Sequence, residues 1–404
     1  MNRESVPSSD QMFFAAGITD KTDPAEAIHS VLAQVQETLQ DRPIHAAFLF
    51  ASAHYRMNWA SQLRHIRRTL GSPILIGCTG GGIVGSNMEL EGVPAISLVA
   101  ACLPRVKLHP FSVSPEDLAE PRDSGYWIEK IGANPGEQPV GVLLPEPYSC
   151  DCMTLLDSMR QVYPAMPIVG GLASGARGPG ENALFLNDDL IPEGAVGLLM
   201  TGDIAMETMV SQGCRPIGRP FIITKAQENV IFELAGMPAT EALKQLYVSL
   251  TDKDRQLAQR ALLIGMVVNE YQQSFGRGDF LIRNLIAMDV ASGALAVGDQ
   301  VQRGQTIQFH VRDADSSRED LGLLLKQQSA AHPKKARGGL LFSCMGRGQE
   351  LYGEPHYDIK TIQGGLGPFP VGGFFCNGEI GPIAQKNHLH GFTSSLGLFH
   401  PRSS

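Results

Sequence analysis

Two short segments of this chain place a cysteine, an arginine and glycine close enough to act together. Ser211-Gln212-Gly213-Cys214-Arg215-Pro216-Ile217-Gly218 sets a thiol beside a guanidinium, framed by residues that impose special backbone geometry. Phe342-Ser343-Cys344-Met345-Gly346-Arg347-Gly348 repeats the set directly after an apolar run. An adjacent guanidinium lowers a thiol pKa, and it can also grip a carboxylate through two parallel hydrogen bonds. The same residues suit a turn whose arginine pairs with a structural Asp or Glu, and the sequence leaves both readings open. Glu379, within Gly378-Glu379-Ile380-Gly381-Pro382, puts one acid in a further Gly-rich turn, either facing a ligand or pairing one of these arginines. Gly77-Cys78-Thr79-Gly80 ends an apolar run in glycines, which let a ligand approach the backbone closely. We therefore expect Arg215 and Arg347 to converge on one cavity at a domain interface, with Glu379 on its wall.

Other motifs argue against more specialised chemistry. Gly80-Gly81-Gly82-Ile83-Val84-Gly85 has the G-x-G-x-x-G spacing of a dinucleotide fingerprint, but only Ser86 to Glu91 separate it from the next apolar run. That is too short for the helix whose N-terminus would hold a pyrophosphate, so the segment reads as a tight turn. Cys150-Asp151-Cys152 and His388-Leu389-His390 lack a second pair at zinc-site spacing, and no metal or other cofactor is expected. There is no G-x-S-x-G elbow and no H-E-x-x-H, so no catalytic residue is assigned. A thiol-dependent enzyme using Cys214 or Cys344 is the alternative reading, and a protein-interaction scaffold a second one.

The elements that carry these residues repeat three times. Pro73-Ile74-Leu75-Ile76-Gly77, Pro167-Ile168-Val169-Gly170 and Pro370-Val371-Gly372-Gly373 each follow an earlier apolar run, at Ile44 to Phe50, Val140 to Leu144 and Gly339 to Phe342. Each also precedes another, at Val93 to Ala101, Ala195 to Met200 and Phe392 to Phe399. Short apolar runs bounded by Gly and Pro read as buried strands, and the gap before each Pro holds a helix. The unit is strand, helix, strand ending in a Gly-rich turn, strand. Such turns bring backbone N–H groups to strand ends, where open sheets bind ligands. Asp23-Pro24-Ala25-Glu26 starts an amphipathic helix, and Gly71 closes one marked by Leu63, Ile66 and Leu70. Between the second and third units the pattern changes to hairpins, near Gln227-Glu228-Asn229 and Ala291-Ser292-Gly293, and to helical stripes. The expected fold is mixed α/β, with two domains of mixed sheets flanked by helices. Residues 1–43 are a tail and one helix, residues 44–236 an N-terminal domain, and residues 237–404 a C-terminal domain.

Composition narrows the class. A chain of 404 residues with 43% hydrophobic and 18% charged residues is an ordinary globular protein of more than one domain. A formal charge of −8 and no long Lys/Arg run argue against nucleic acid as a partner. No apolar stretch is long enough for a membrane helix, the first ten residues are polar, and the seven cysteines are an odd number. These features lead us to expect a cytoplasmic location.

The segments SQGCRPIG, LLFSCMGRG, GGFFCNGEIGP and LHGFTSSLGLF, with GCTGGGIVG and PEGAVGLLMTG upstream, resemble the signature segments of the FIST family (F-box and intracellular signal transduction proteins). The resemblance runs from about Ile44 to the C-terminus and implies an N-terminal and a C-terminal FIST domain meeting near Gly236. It implies a sensory module that binds a small ligand, amino acids or related metabolites being the usual suggestion, with a signalling partner protein downstream. It supplies no catalytic residues to carry over.

Overall fold

The structure, a computed structural model, describes residues 11–55, 57–332 and 335–402. The first repeat runs β1 (Phe13–Thr19), α1 (Pro24–Leu39), β2 (Ala46–Ser52), α2 (Trp59–Leu70), β3 (Ile74–Gly80), β4 (Gly82–Val84), β5 (Glu89–Glu91) and β6 (Ile96–Cys102). The second runs β7 (Val106–Val113), α3 (Pro115–Leu118), α4 (Ser124–Ile131), β8 (Val140–Pro145), α5 (Cys152–Val162), β9 (Ile168–Gly171), β10 (Leu184–Leu186), β11 (Asp189–Ile191) and β12 (Ala195–Gly202). The third opens with β13 (Ala205–Ser211) and is then interrupted. The interruption holds β14 (Cys214–Gln227), β15 (Val230–Leu234), β16 (Met237–Pro238), α6 (Ala239–Ser249), α7 (Asp252–Arg260), β17 (Leu262–Val267), β18 (Phe280–Asp289), β19 (Ala294–Val297) and β20 (Thr306–Arg312). The repeat resumes with α8 (Ala314–Ala331), β21 (Gly338–Cys344), α9 (Gly348–Tyr352), α10 (Tyr357–Leu366), β22 (Val371–Cys376), β23 (Glu379–Ile383), β24 (Lys386–His390) and β25 (Ser394–His400).

The chain forms two compact units, one of Met1–Val210, Leu325–Leu389 and Ser394–Ser404, the other of Ser211–Leu324 and His390–Thr393. All three repeats belong to the first unit, and Gly236 lies inside the second. Within each repeat the two strands joined through α2, α5 or α10 are parallel, and the last strand returns antiparallel to the first of them: β2 with β3 and β6, β8 with β9 and β12, β21 with β22 and β25. The strand-helix-strand-strand reading therefore holds in order and direction. The hairpin after each second parallel strand does not stay at home. The sheets run β1-β6-β2-β3-β10-β11, β7-β12-β8-β9-β23-β24 and β13-β25-β21-β22-β4-β5, so each repeat completes its sheet with the hairpin of another.

These strands are apolar on both sides because both sides are covered. The inner faces share one core, where Phe50, Phe342 and Phe374 meet with ring centroids 5.3–6.1 Å apart. The outer faces pack on helices: Leu49 and Leu98 with Ile28, Val31 and Ile66, and Leu143 and Leu199 with Leu155 and Met159. The parallel pairs share one register feature. Gly77 pairs with Leu49, Gly170 with Leu143 and Gly373 with Leu341. A Cβ on any of these glycines would lie 1.8 Å from the partner's backbone oxygen, so only glycine fits. The second unit is a sheet ordered β14-β20-β17-β18-β19-β15-β16 that closes because β14 also pairs with β15, around Ile223, Leu246, Ile264 and Phe309. Its hairpins turn at the places the sequence marks.

Gly170→Ala should destabilise the fold by about 3 kcal/mol or more, because backbone rather than a movable side chain opposes the new methyl. Gly178→Ala, which meets nothing within 4 Å, should change the unfolding midpoint little. Denaturant unfolding of the two variants checks this; a Gly170 variant as stable as wild type would show that the pair can shift apart.

Candidate functional site

The residues singled out from sequence end up in different surroundings. Arg215, in the second unit, pairs with Asp254 and, at 3.4 Å, with Asp313. The hydrogen bond from Arg215 is the main cause holding the Asp254 carboxyl below its usual value. Cys214 is buried with Leu263, Val267, Phe280 and Ile282. Arg347, in the first unit, is fully buried. Its Nε donates to Asp358 Oδ2 at 2.7 Å and its Nη2 to Asp358 Oδ1 at 3.0 Å and Tyr352 Oη at 2.6 Å. Glu379 is fully buried as well, and Cys344 is partly buried. Cys78, Cys344 and Glu379 do come together, around Cys376: burial pushes the Cys376 thiol well up, and the charges of Glu379, Cys78 and Cys344 add to that. Burial likewise pushes up Cys78. These two sulfurs are thiols at neutral pH.

The open space lies elsewhere, over the C-terminal ends of β2 and β3. A cleft of about 840 Å³ is lined by Ala53, His54 and Tyr55 after β2, Trp59 of α2, Thr79 of β3, and residues 175–177 and 180–183 of the second repeat. Neither Arg215 nor Arg347 lines it; of the expected residues, Thr79 does. Asn58 caps α2 by accepting the Ser61 N–H, which fixes the helix end that carries Trp59, and Trp59 packs on Phe185 at 4.6 Å. The far wall is a strap running from the end of β9 to β10. Ala183 N–H donates to Thr79 Oγ1 at 3.0 Å, and Thr79 N–H donates to the Ala183 carbonyl at 2.9 Å. At the other end of the strap Ser174 is fully buried, accepts the Gly81 N–H at 2.9 Å and donates to the Phe375 carbonyl. Between these anchors Arg177 and Glu181 are exposed.

Asn182 is, with Thr79, a buried polar residue of this cleft, 5% exposed. Its Nδ2 donates to Glu146 Oε1 at 2.9 Å. Glu146, 1% exposed, accepts through Oε2 from the N–H groups of Tyr148 and Ser149, both at 2.9 Å, and from Ser149 Oγ at 2.7 Å. A carboxylate can only accept here, so the amide nitrogen must face Glu146 and the amide oxygen must face the other way. That oxygen, Asn182 Oδ1, has no hydrogen-bond partner among the described residues. Sequence reading missed Trp59, Arg177, Asn182 and Glu146. The signal for Arg177 was present: Ser174-Gly175-Ala176-Arg177-Gly178-Pro179-Gly180 is a glycine-rich loop with an arginine after a strand, but it lacks the cysteine that drew attention elsewhere.

A second polar cluster sits at the end of β21, enclosed. Asp358 takes Arg347 and Tyr352, and Glu89 on the exchanged strand β5 accepts the Ile359 N–H at 3.0 Å. Burial, then the charge of Asp358, pushes the Glu89 carboxyl up to about 8, against the Ile359 hydrogen bond. Among the described residues no group of three or more His, Cys, Asp or Glu is placed to hold a metal, and no helix is long and apolar enough to cross a membrane.

A cleft thus lies at strand ends beneath a glycine-rich strap, with the buried Asn182 on its wall. The FIST N domain model matches residues 45–237 and the FIST C domain model residues 239–382, so the chain belongs to the FIST family, whose domains are sensory modules of signal transduction. An uncharacterized protein of Mycobacterium tuberculosis (strain ATCC 25618 / H37Rv) is 36% identical over 388 residues, covering 96% of this chain and 100% of the relative. Another uncharacterized protein, of Mycobacterium bovis, is 35% identical over 388 residues, 96% of this chain and 99% of the relative. Among solved structures, the cyanuric acid hydrolase of A. caulinodans matches over 98% of this chain and 100% of its own, at 8% identity and a TM-score of 0.36, a likeness too slight to speak to fold or chemistry.

Two outcomes follow from the enclosed cluster. Arg347→Ala leaves Asp358 buried without its cation and should cost about 3–5 kcal/mol of stability. Glu89 has a folded value raised from 4.5 to about 8, so the folded state holds a proton the unfolded chain has released. Its contribution is full below 4.5 and is lost as pH rises toward about 8. Glu89→Gln should flatten that part of the stability profile and make the protein more stable than wild type at pH 8.5, measured by denaturant unfolding across pH. A variant with the wild-type slope would locate the titration elsewhere.

Proposed function

We propose that this protein is a small-ligand sensor that binds an amino acid or a related metabolite in the cleft over β2 and β3, and passes the signal to a partner protein. The observation that carries the reading is the cleft of about 840 Å³ at the C-terminal ends of a parallel pair, where open sheets bind ligands. Its rim carries an exposed cation, Arg177, and an exposed acid, Glu181, while Asn182 sits deep. Such a rim suits the charged head of an amino acid: carboxylate to Arg177, ammonium to Glu181. The carboxylate role expected of Arg215 or Arg347 passes to Arg177, because Asp254 with Asp313, and Asp358 with Tyr352, already engage the other two. The ammonium role expected of Glu379 passes to Glu181, since Glu379 is fully buried. Gly77, Cys78 and Gly80 are buried and, unlike Thr79, do not line the cleft.

A thermal-shift screen against amino acids and common metabolites, followed by calorimetry, tests this. A carboxylate ligand should raise the melting temperature, and Arg177→Ala should weaken it about tenfold or more, the range for one charged hydrogen bond. Arg177 is exposed, so the unliganded variant should melt as wild type does. Ligands whose affinity ignores Arg177 would remove the cleft from the proposal.

A further inference from the structure

We infer that Asn182 determines specificity in this cleft: it admits a ligand whose inward end donates a hydrogen bond, a primary amide or another neutral N–H group, and rejects the matching carboxylate. This inference rests on the cleft being the binding site. The argument starts from the amide orientation. Glu146 is saturated on its Oε2 side by Tyr148, Ser149 N–H and Ser149 Oγ, so its Oε1 remains to hold the Asn182 amide nitrogen. The amide cannot flip without placing two acceptor oxygens against each other. Its Oδ1 is therefore an acceptor of set orientation, itself covered and unpartnered among the described residues, on a residue that lines the cleft, so a ligand group reaches it only as the strap that carries Asn182 gives way. Leaving a buried acceptor unmade is costly, so a ligand group that donates to it gains more than a typical exposed hydrogen bond. A carboxylate at the same place brings only acceptors, and it brings them next to the buried Glu146. Sites built around a buried acceptor reject analogues that lack the donor more strongly than sites that discriminate by size. Glu146 is a positioning residue in this scheme; it acts through Asn182.

The probes are shape-matched pairs: L-glutamine with L-glutamate, and L-asparagine with L-aspartate, by calorimetry at pH 7. The fragments acetamide and acetate, by saturation-transfer NMR, report on the Asn182 end alone. Wild type should favour the amide member by about tenfold or more. Asn182→Leu should bring each pair within about threefold, by removing the acceptor that tells its members apart. Glu146→Gln, whose amide can donate as well as accept, releases the Asn182 orientation and should also shrink the preference. Its unfolding midpoint shows whether the fold is intact. Amino acids that bind with no amide preference, or a preference that survives Asn182→Leu, overturn the inference while leaving the sensor reading in place. Acetamide bound in an Asn182-dependent way without binding of any amino acid upholds the inference and overturns the amino-acid reading. Absence of binding by every probe overturns both.

Discussion

The three repeats of the first unit depend on an exchange of hairpins. A parallel pair such as β2 and β3 leaves β3 with an open edge, and an open edge of backbone N–H and carbonyl groups must be covered or it will find another chain. Here the cover comes from another repeat: β10 and β11 on β3, β23 and β24 on β9, β4 and β5 on β22. Each sheet is thereby incomplete without its neighbour, and the shared aromatic core of Phe50, Phe342 and Phe374 has the same property. The exchange requires the chain leaving each second parallel strand to cross from its own sheet to the next, passing over strand ends as it goes. The strap of the cleft is one of those crossings. Its route over the end of β3 creates a concave space, and its attachment at Thr79 fixes how wide that space is.

The three crossings have the same topology and different chemistry. At β3 the strap stands off and leaves the cleft, with a cation and an acid on its exposed part. At β22 the incoming strand β5 brings Glu89 against Asp358 and Arg347, and the space is filled by a buried ion pair with its hydrogen-bond partners. At β9 the incoming strand β23 pairs Glu379 and Ile380 with Gly171 and Gly170, and Glu379 is fully buried. Charge explains the difference between the first two. A guanidinium that donates to both oxygens of a buried carboxylate and to a tyrosine has little left for a ligand, whereas one on an exposed strap remains available. The Cys-Arg-Gly pattern around Arg347 and the Gly-Arg-Gly pattern around Arg177 look alike as strings; burial separates them.

That contrast also shows where sequence reasoning reaches its end. The parallel pairs were legible because their signals are local: apolar runs bounded by Gly and Pro, a helix start such as Asp23-Pro24, a closing glycine such as Gly71. The hairpin exchange was not, because β4, β5, β10 and β11 are three residues each and their partners lie in other repeats. Thr79 was found because it follows a strand into glycines. Asn182 was not, since its importance arises from Glu146, 36 residues away, which decides which way the amide faces. Arg215 and Arg347 were chosen for what they can do in isolation. Asp254 and Asp358, which decide what they do here, have no sequence spacing that marks them as partners.

A sensor also needs a route outward from its ligand, and the strap offers one with a definite mechanical character. Between Gly175 and Gly180 the chain is exposed or half-buried, and Gly178 and Gly180 have open space where a side chain would be, so apart from the hydrogen bond of Arg177 N–H to Glu181 Oε2 little packing opposes an adjustment. Its beginning is held in place. Leu172 exchanges backbone hydrogen bonds with Gly378 and Asn377, Ala173 donates to Pro145, and Ser174 joins Gly81 to Phe375. Movement of the free part is therefore resisted at one residue that touches all three repeats. A ligand shifts an equilibrium only by its differential interaction with the two states. On the proposed reading the differential interactions of a ligand with this strap would be those made by Arg177, Glu181 and Asn182.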